Sequence, residues 1–118
     1  MTEINTNESS RPPELRIEEQ ILIASSGGKE YEISVDDIES MELREKLPND
    51  MVRIMGTGME NLSKGKFKSE TLGRLELCLD PTCRPFILID TGEEQYLLGT
   101  RDSEYTELMY QQLMNRTE

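Results

Sequence analysis

Apolar and polar residues alternate with a period of two along most of this chain, from residue 15 to residue 100. In RLELCLD, residues 74–80, the alternation places Leu75, Leu77 and Leu79 on one side and polar or smaller residues on the other. Successive side chains of a β-strand point to opposite faces, so the pattern predicts short strands that each bury one face. A mainly β fold is therefore the first expectation.

Glycine, proline and aspartate residues divide the alternating region into seven or eight predicted strands. The predicted strands are 15–26, 30–35, 38–47, 51–59, 64–70, 74–80, 86–90 and 95–100. Segment 38–47 also suits a helix by composition, but its short span before a proline favours a strand. Segment 86–90, FILID, is almost continuously apolar, which predicts a central strand covered on both faces. Gly27 and Gly28 predict a hairpin turn.

The last part of the chain, DSEYTELMYQQLMNR at 102–116, has helical periodicity instead. Tyr105, Met109 and Leu113 recur on one face, which predicts an amphipathic helix with that face buried. A terminal helix of this kind can cover an open end of a small β fold. Tyr110 and Met114 are apolar but lie off that face. They suggest a second face for contact with another subunit.

The composition predicts one domain preceded by a polar tail. Residues 1–14 are polar and contain two prolines, so we expect them to be disordered. Residues 15–116 are enough for a single domain with its own core. No apolar run approaches the roughly 20 residues that a spanning helix requires, and no apolar leader is present. We therefore expect a cytoplasmic protein without an integral membrane segment.

The chain has two cysteines, Cys78 and Cys83, and no histidine. A zinc site built on cysteine and histidine requires four ligands, so we expect no metal. Asp80-Pro81 predicts a turn that would place the two thiols across a hairpin. We expect free thiols in a reducing compartment, with a disulfide as the alternative.

The net charge is −11, with 24 acidic and 13 basic residues. Nucleic acids and anionic membranes attract positive surfaces, so we expect neither nucleic-acid binding nor peripheral membrane contact. The charge is uneven, however. Residues 53–84 carry six basic and four acidic residues and are the only non-negative part of the chain.

Three lysines in that region, Lys64, Lys66 and Lys68, have strict two-residue spacing and so share one face of a predicted strand. One interpretation is a solvated face whose charges discourage pairing between sheet edges. The alternative is a strip that contacts an anion, together with Arg74 on the next strand. The sequence leaves both interpretations open.

The sequence gives no support for catalysis. Adjacent carboxylates such as Glu93-Glu94 adjoin turns and point to opposite faces, so they are not a pair for acid–base chemistry. No histidine base accompanies the serine, threonine and cysteine residues, and the glycines do not form a phosphate-binding loop. We therefore expect a protein that is not an enzyme and needs no cofactor.

Four segments resemble a bacterial branch of the pleckstrin-homology-like (PH-like) family. They are DDIESMELREKLP at 36–48, GTGMENLSKGKFKSETLGRLELCL at 56–79, PFILIDTGEEQYLLGT at 85–100 and RDSEYTELMYQQL at 101–113. The resemblance implies a small barrel of about seven strands, in two orthogonally packed antiparallel sheets, closed by one C-terminal helix. The loop after the first strand, SSGGKE, has Lys29 as its one basic residue, so the resemblance implies no phosphoinositide pocket.

The expected function is that of a non-enzymatic interaction or scaffold module, which binds another protein or a second copy of itself. Addition of a strand at an open sheet edge and docking on the closing helix are the two expected routes. The alternative is binding of an anionic small ligand or lipid headgroup through residues 53–84, with Lys64, Lys66, Lys68 and Arg74 as candidate contacts.

Overall fold

A computed structural model describes residues 12–26, 29–55, 58–59 and 62–117, and the side chains of these residues apart from 29, 53–55, 58–59 and 62–64. Within them, ten strands form two sheets and one α-helix closes the fold. The strands are β1 (Glu14–Glu18), β2 (Ile21–Ser26), β3 (Lys29–Ser34), β4 (Ser40–Arg44), β5 (Val52–Met55), β6 (Gly58–Met59), β7 (Leu62–Ser69), β8 (Gly73–Leu79), β9 (Phe86–Asp90) and β10 (Gln95–Leu98). The helix is α1 (Ser103–Thr117).

The smaller sheet consists of β1, β2 and β3, paired antiparallel in that order. Its central strand is apolar, and Leu22 stands opposite Ile17 on one side and Ile33 on the other. Ser26 pairs with Lys29, while the predicted turn residues between them lie outside the described residues. The predicted tail, residues 1–14, lies mostly outside them as well and stays a prediction.

The larger sheet has the order β4-β9-β10-β8-β7-β5, with β6 paired to β7. β10 lies between β8 and β9, antiparallel to β9 and parallel to β8. The expectation of wholly antiparallel sheets is therefore wrong. The turn at Asp80 exists, since the Cys83 amide donates to the Asp80 carbonyl at 3.0 Å, but it does not close a hairpin.

The position of β10 also corrects the expectation for the cysteines. Because β10 separates β8 from β9, the two thiols do not face each other across a hairpin. Cys78 is fully buried in the core and Cys83 is half-buried in the β8–β9 connection. The structure has no disulfide between them.

The middle of the larger sheet is buried on both faces. One face packs against the smaller sheet and α1 and forms a first core cluster, which includes Ile87 and Ile89 of β9. The other face forms a second cluster, which includes Phe86 and Leu88 of the same strand. The prediction of a central strand covered on both sides is confirmed for β9.

The predicted face of β8 is confirmed too. Leu75, Leu77 and Leu79 are each 1% exposed or less. All three belong to the second core cluster, which they share with Phe67 of the neighbouring strand.

Helix α1 begins just after Asp102, whose carboxylate accepts from the Tyr105 amide at 3.2 Å and so caps the first turn. Met109 and Leu113 are buried as predicted, whereas Tyr105, expected on the same buried face, is 36% exposed. Tyr110 is half-buried against the first core cluster, so the expected second face for another subunit is not continuous. Met114, the other residue of that expected second face, is 39% exposed.

The mainly β fold with one closing helix is confirmed, with two differences from the expected architecture besides the parallel pairing of β10 with β8. Ten strands are present in the described residues, because the predicted strand 15–26 is divided into β1 and β2 by a turn and 51–59 into β5 and β6. The two sheets pack as a sandwich and do not close into a barrel.

Candidate functional site

The predicted basic strip lies on the outer part of the larger sheet. Lys64, Lys66 and Lys68 belong to β7, and Arg74 lies at the start of β8. Phe67, between two of the lysines, is 8% exposed, whereas Lys66 and Lys68 are exposed, as the alternation predicts. The side chain of Lys64 lies outside the described residues.

The register of β7 and β8 decides what each cation faces. Lys66 stands directly opposite Glu76, and Lys68 stands directly opposite Arg74. Like charges in directly opposed positions destabilise an antiparallel pair, whereas opposite charges stabilise it. The strip therefore has a favourable pair in its middle and an unfavourable pair at the hairpin end.

Lys66, Lys68 and Arg74 form no ion pair among the described residues. The ion pairs found there join Arg16 to Glu18 and Glu30, Arg44 to Glu42, and Arg101 to Asp80. Lys46 and Arg84 are also exposed and have no ion pair in the described part, so what distinguishes the strip is that three cations lie together on two paired strands. The structure brings these three predicted residues together.

The inner side of the strip ends at a buried polar group. The Tyr31 hydroxyl lies by the Glu76 carboxylate, and burial, followed by the effect of this carboxylate, raises the pKa of Tyr31. The Tyr31 and Tyr96 rings pack edge to face with centroids 5.7 Å apart. This contact joins the smaller sheet to the larger one, so we assign these tyrosines to the structure of the core.

Acidic residues adjoin the strip on its other side. A groove of about 320 Å³ is lined by Arg74 together with Glu93 and Glu94 of the β9–β10 turn. The two glutamates also line a neighbouring groove of about 440 Å³, with Glu32, Asp37 and Glu39 as further carboxylates. Their negative potential opposes binding of an anion at the Arg74 end. In the described part of the chain, no group of acidic and cysteine side chains could hold a metal ion.

A second candidate site is the outer edge of β4, which the sequence did not indicate. β4 is the last strand of the larger sheet, and no described strand pairs with its outer side. Met41 and Leu43 are half-buried and pack against the first core cluster. On the other face, Arg44 and Glu42 form an ion pair of 3.8 Å.

The edge of the smaller sheet at β1 differs, because α1 lies along it. The Tyr105 hydroxyl donates to the Leu15 carbonyl at 2.8 Å, and the Arg116 side chain donates to the Glu19 carbonyl at 3.4 Å. A helix that covers an edge strand in this way protects it from pairing with another chain. Sequence periodicity finds a strand but does not say whether a neighbour covers its edge.

Comparison with known families agrees with this architecture. The model of a bacterial PH domain family matches residues 14–114. Comparison with curated proteins and with solved structures gave no match. No helix in the described part of the chain is both long enough and apolar enough to cross a membrane. PH domains are generally binding modules without catalytic activity. The match covers both sheets and nearly all of α1, and the chain therefore belongs to the bacterial PH domain family.

Proposed function

We propose that this protein is a non-catalytic interaction module that binds an extended protein segment along the outer edge of β4. The observation that carries the proposal is the position of β4 at the end of the larger sheet, with no described strand on its outer side. An edge strand presents a row of backbone N–H and C=O groups that an added strand can pair with.

The side chains of β4 support binding at this edge. Met41 and Leu43 remain half-buried at the rim of the first core cluster, so apolar side chains of an added strand would extend that core. Glu42 and Arg44 lie on the opposite face and would contact alternate residues of the added strand. At β1, by contrast, the Leu15 carbonyl already accepts a hydrogen bond from Tyr105.

A displayed library of random peptides, selected on the full chain, tests this proposal. We expect the selected peptides to have alternating apolar residues and to shift the backbone amide resonances of β4 and β9. Selected peptides that leave β4 unshifted and perturb α1 or β7 instead would overturn it.

Two matched variants sharpen the test. Leu43→Thr removes an apolar contact at the edge but keeps a residue that suits a strand. Leu108→Thr removes an apolar side chain that is 48% exposed on α1. We expect the first variant to weaken peptide binding by roughly tenfold, which corresponds to about 1.4 kcal/mol, and the second to leave it unchanged. Equal affinities for the two variants would contradict the proposal.

A second candidate function is binding of an anionic ligand at Lys66, Lys68 and Arg74. The observation that favours it is the direct opposition of Lys68 and Arg74, since a bound anion would offset their repulsion. Inorganic pyrophosphate and phosphatidylserine vesicles are suitable probes, and we expect binding that weakens steeply as salt is added.

The matched variants for this second function change the same number of charges. Lys66→Glu with Lys68→Glu alters the strip, whereas Lys46→Glu with Arg84→Glu alters two exposed cations elsewhere. Loss of binding in the first pair alone supports the anion site. Absence of binding to both probes, or equal loss in both pairs, rules it out.

A further inference from the structure

We infer that the β4 edge pairs with β4 of a second copy of this chain, antiparallel and about a two-fold axis at Leu43. This inference rests on the proposed use of the β4 edge and names its occupant. The carrying observation is the order of charges along β4, in which Glu42 and Arg44 flank Leu43 on one face.

A two-fold axis perpendicular to the sheet leaves few possible registers. It keeps the core-facing side of both copies on the same side of the joined sheet. Odd-numbered residues therefore stand opposite odd-numbered residues, and even-numbered opposite even-numbered. The axis can therefore pass through Met41, Glu42 or Leu43 near the middle of the strand. At Leu43, Glu42 stands opposite Arg44 of the second copy, and the reverse pair follows by symmetry.

The other two registers lack this complementarity. An axis at Glu42 places two glutamates directly opposite each other, which is unfavourable. An axis at Met41 places Glu42 opposite Ser40 of the second copy and leaves Arg44 beyond the paired region. The Leu43 register also stacks Leu43 on its symmetry mate, at the rim of the first core cluster.

The edge of β3 gives a useful contrast. No described strand pairs with its outer side either. Its corresponding residues are Glu30 and Glu32, which flank Tyr31. A two-fold axis at Tyr31 would place glutamate opposite glutamate, and an axis at either glutamate would place that residue opposite itself. Of these two edges, charge complementarity therefore favours β4 for pairing with a second copy.

The pairing is short, so we expect a weak and reversible dimer. β4 has five residues, and in this register Met41 meets Glu45 of the second copy just beyond the strand. Each chain also carries a net charge of −11, which repels a second copy at low ionic strength. Because the dimer is weak, we expect it to form only at high protein concentration.

Sedimentation velocity of the full chain over a concentration series, at moderate salt, tests the inference. We expect the mass to rise from one chain to two. Glu42→Arg and Arg44→Glu, each alone, place like charges opposite each other at two symmetric positions, and we expect each to weaken the dimer by roughly tenfold. Glu104→Arg, at an exposed residue of α1, changes the net charge by the same amount as Glu42→Arg and should leave the dimer unchanged.

A mixture of the two single variants gives the sharpest result. Variant Glu42→Arg has two positive side chains at the edge and variant Arg44→Glu has two negative ones. We therefore expect the mixture to form a heterodimer that is tighter than the homodimer of either variant. A wild type that stays monomeric throughout, or a mixture that gives no heterodimer, overturns the inference. Either result leaves the peptide test of the β4 edge, with Leu43→Thr as its variant, to decide the proposed function separately.

Discussion

The middle of the larger sheet and the tip of the β7–β8 hairpin are built from the same kind of strand but differ in what stands opposite each residue. In the middle, Leu97 of β10 lies between Leu88 of β9 and Leu77 of β8, and all three are buried. At the tip, Lys68 faces Arg74, and both are exposed.

This difference separates two roles of side chains in one sheet. In the middle, removal of apolar surface from water stabilises the fold, so each neighbour contributes to the free energy of folding. At the tip, water solvates the charges and the pairing contributes only tenths of a kcal/mol. Substitutions in the middle should therefore alter the stability of the fold strongly. Substitutions at the tip should alter stability little, so they can alter binding without unfolding the protein.

Leu97→Ala is the variant with the largest expected effect. Leu97 is 0% exposed, and truncation of a buried leucine costs about 2–5 kcal/mol, because it loses burial and leaves a cavity. Val52→Ala on β5, where the side chain is 66% exposed, should stay within about 0.5 kcal/mol of wild type. Urea denaturation measures both. Similar losses in the two variants would contradict the division between the regions.

Asp80→Asn should have an intermediate effect. Asp80 is 2% exposed, and it accepts from the Thr82 hydroxyl at 2.6 Å, the Thr82 amide at 2.9 Å and Arg101 Nε at 3.0 Å. Burial alone would raise the pKa of Asp80, but these hydrogen bonds outweigh burial and lower it. We expect the variant to lose about 1–3 kcal/mol at neutral pH, because charge-assisted bonds to a buried carboxylate are weakened.

The pH dependence of that loss follows from the lowered pKa. A carboxyl with a lower pKa in the folded chain stabilises the fold above its unfolded pKa of about 3.9, and it loses that contribution as the pH falls through the folded pKa. The difference between wild type and Asp80→Asn should therefore shrink in acid. Asp36→Asn, at an exposed aspartate, is the control. If the difference in free energy of unfolding between wild type and Asp80→Asn stayed constant at pH values below the folded pKa, the charge of Asp80 would not be what stabilises the β8–β9 connection.

Periodicity in the sequence is enough to predict most of the strands and the buried faces of β8 and β9. It placed both faces of β9 in the core and exposed Lys66 and Lys68, because alternation is a local property of each strand. It did not predict that β10 lies between β8 and β9. An apolar strand has the same pattern whichever strand is its neighbour, so the order depends on contacts distant in sequence.

The same limit applies to the candidate sites. The basic strip could be found from spacing alone, and the opposition of Lys68 to Arg74 follows once the hairpin between them is placed. The β4 edge could not be found, because a strand becomes an edge only when the rest of the sheet leaves it without a neighbour. The charges that flank Leu43 predict pairing with a second copy only once β4 is known to be an edge strand.

Two lysines on β7 should give the smallest effects, with opposite signs. Lys68→Gln removes repulsion from Arg74 and should stabilise the fold, whereas Lys66→Gln removes attraction to Glu76 and should destabilise it, each by roughly 0.2–1 kcal/mol. Both variants make the net charge more negative by the same amount, so a general effect of charge would move them in the same direction. Thermal unfolding at low salt, repeated with added salt, measures the two. Shifts of the same sign would mean that the cross-strand partner does not govern the tip, and the contrast with the middle of the sheet would then be one of exposure alone.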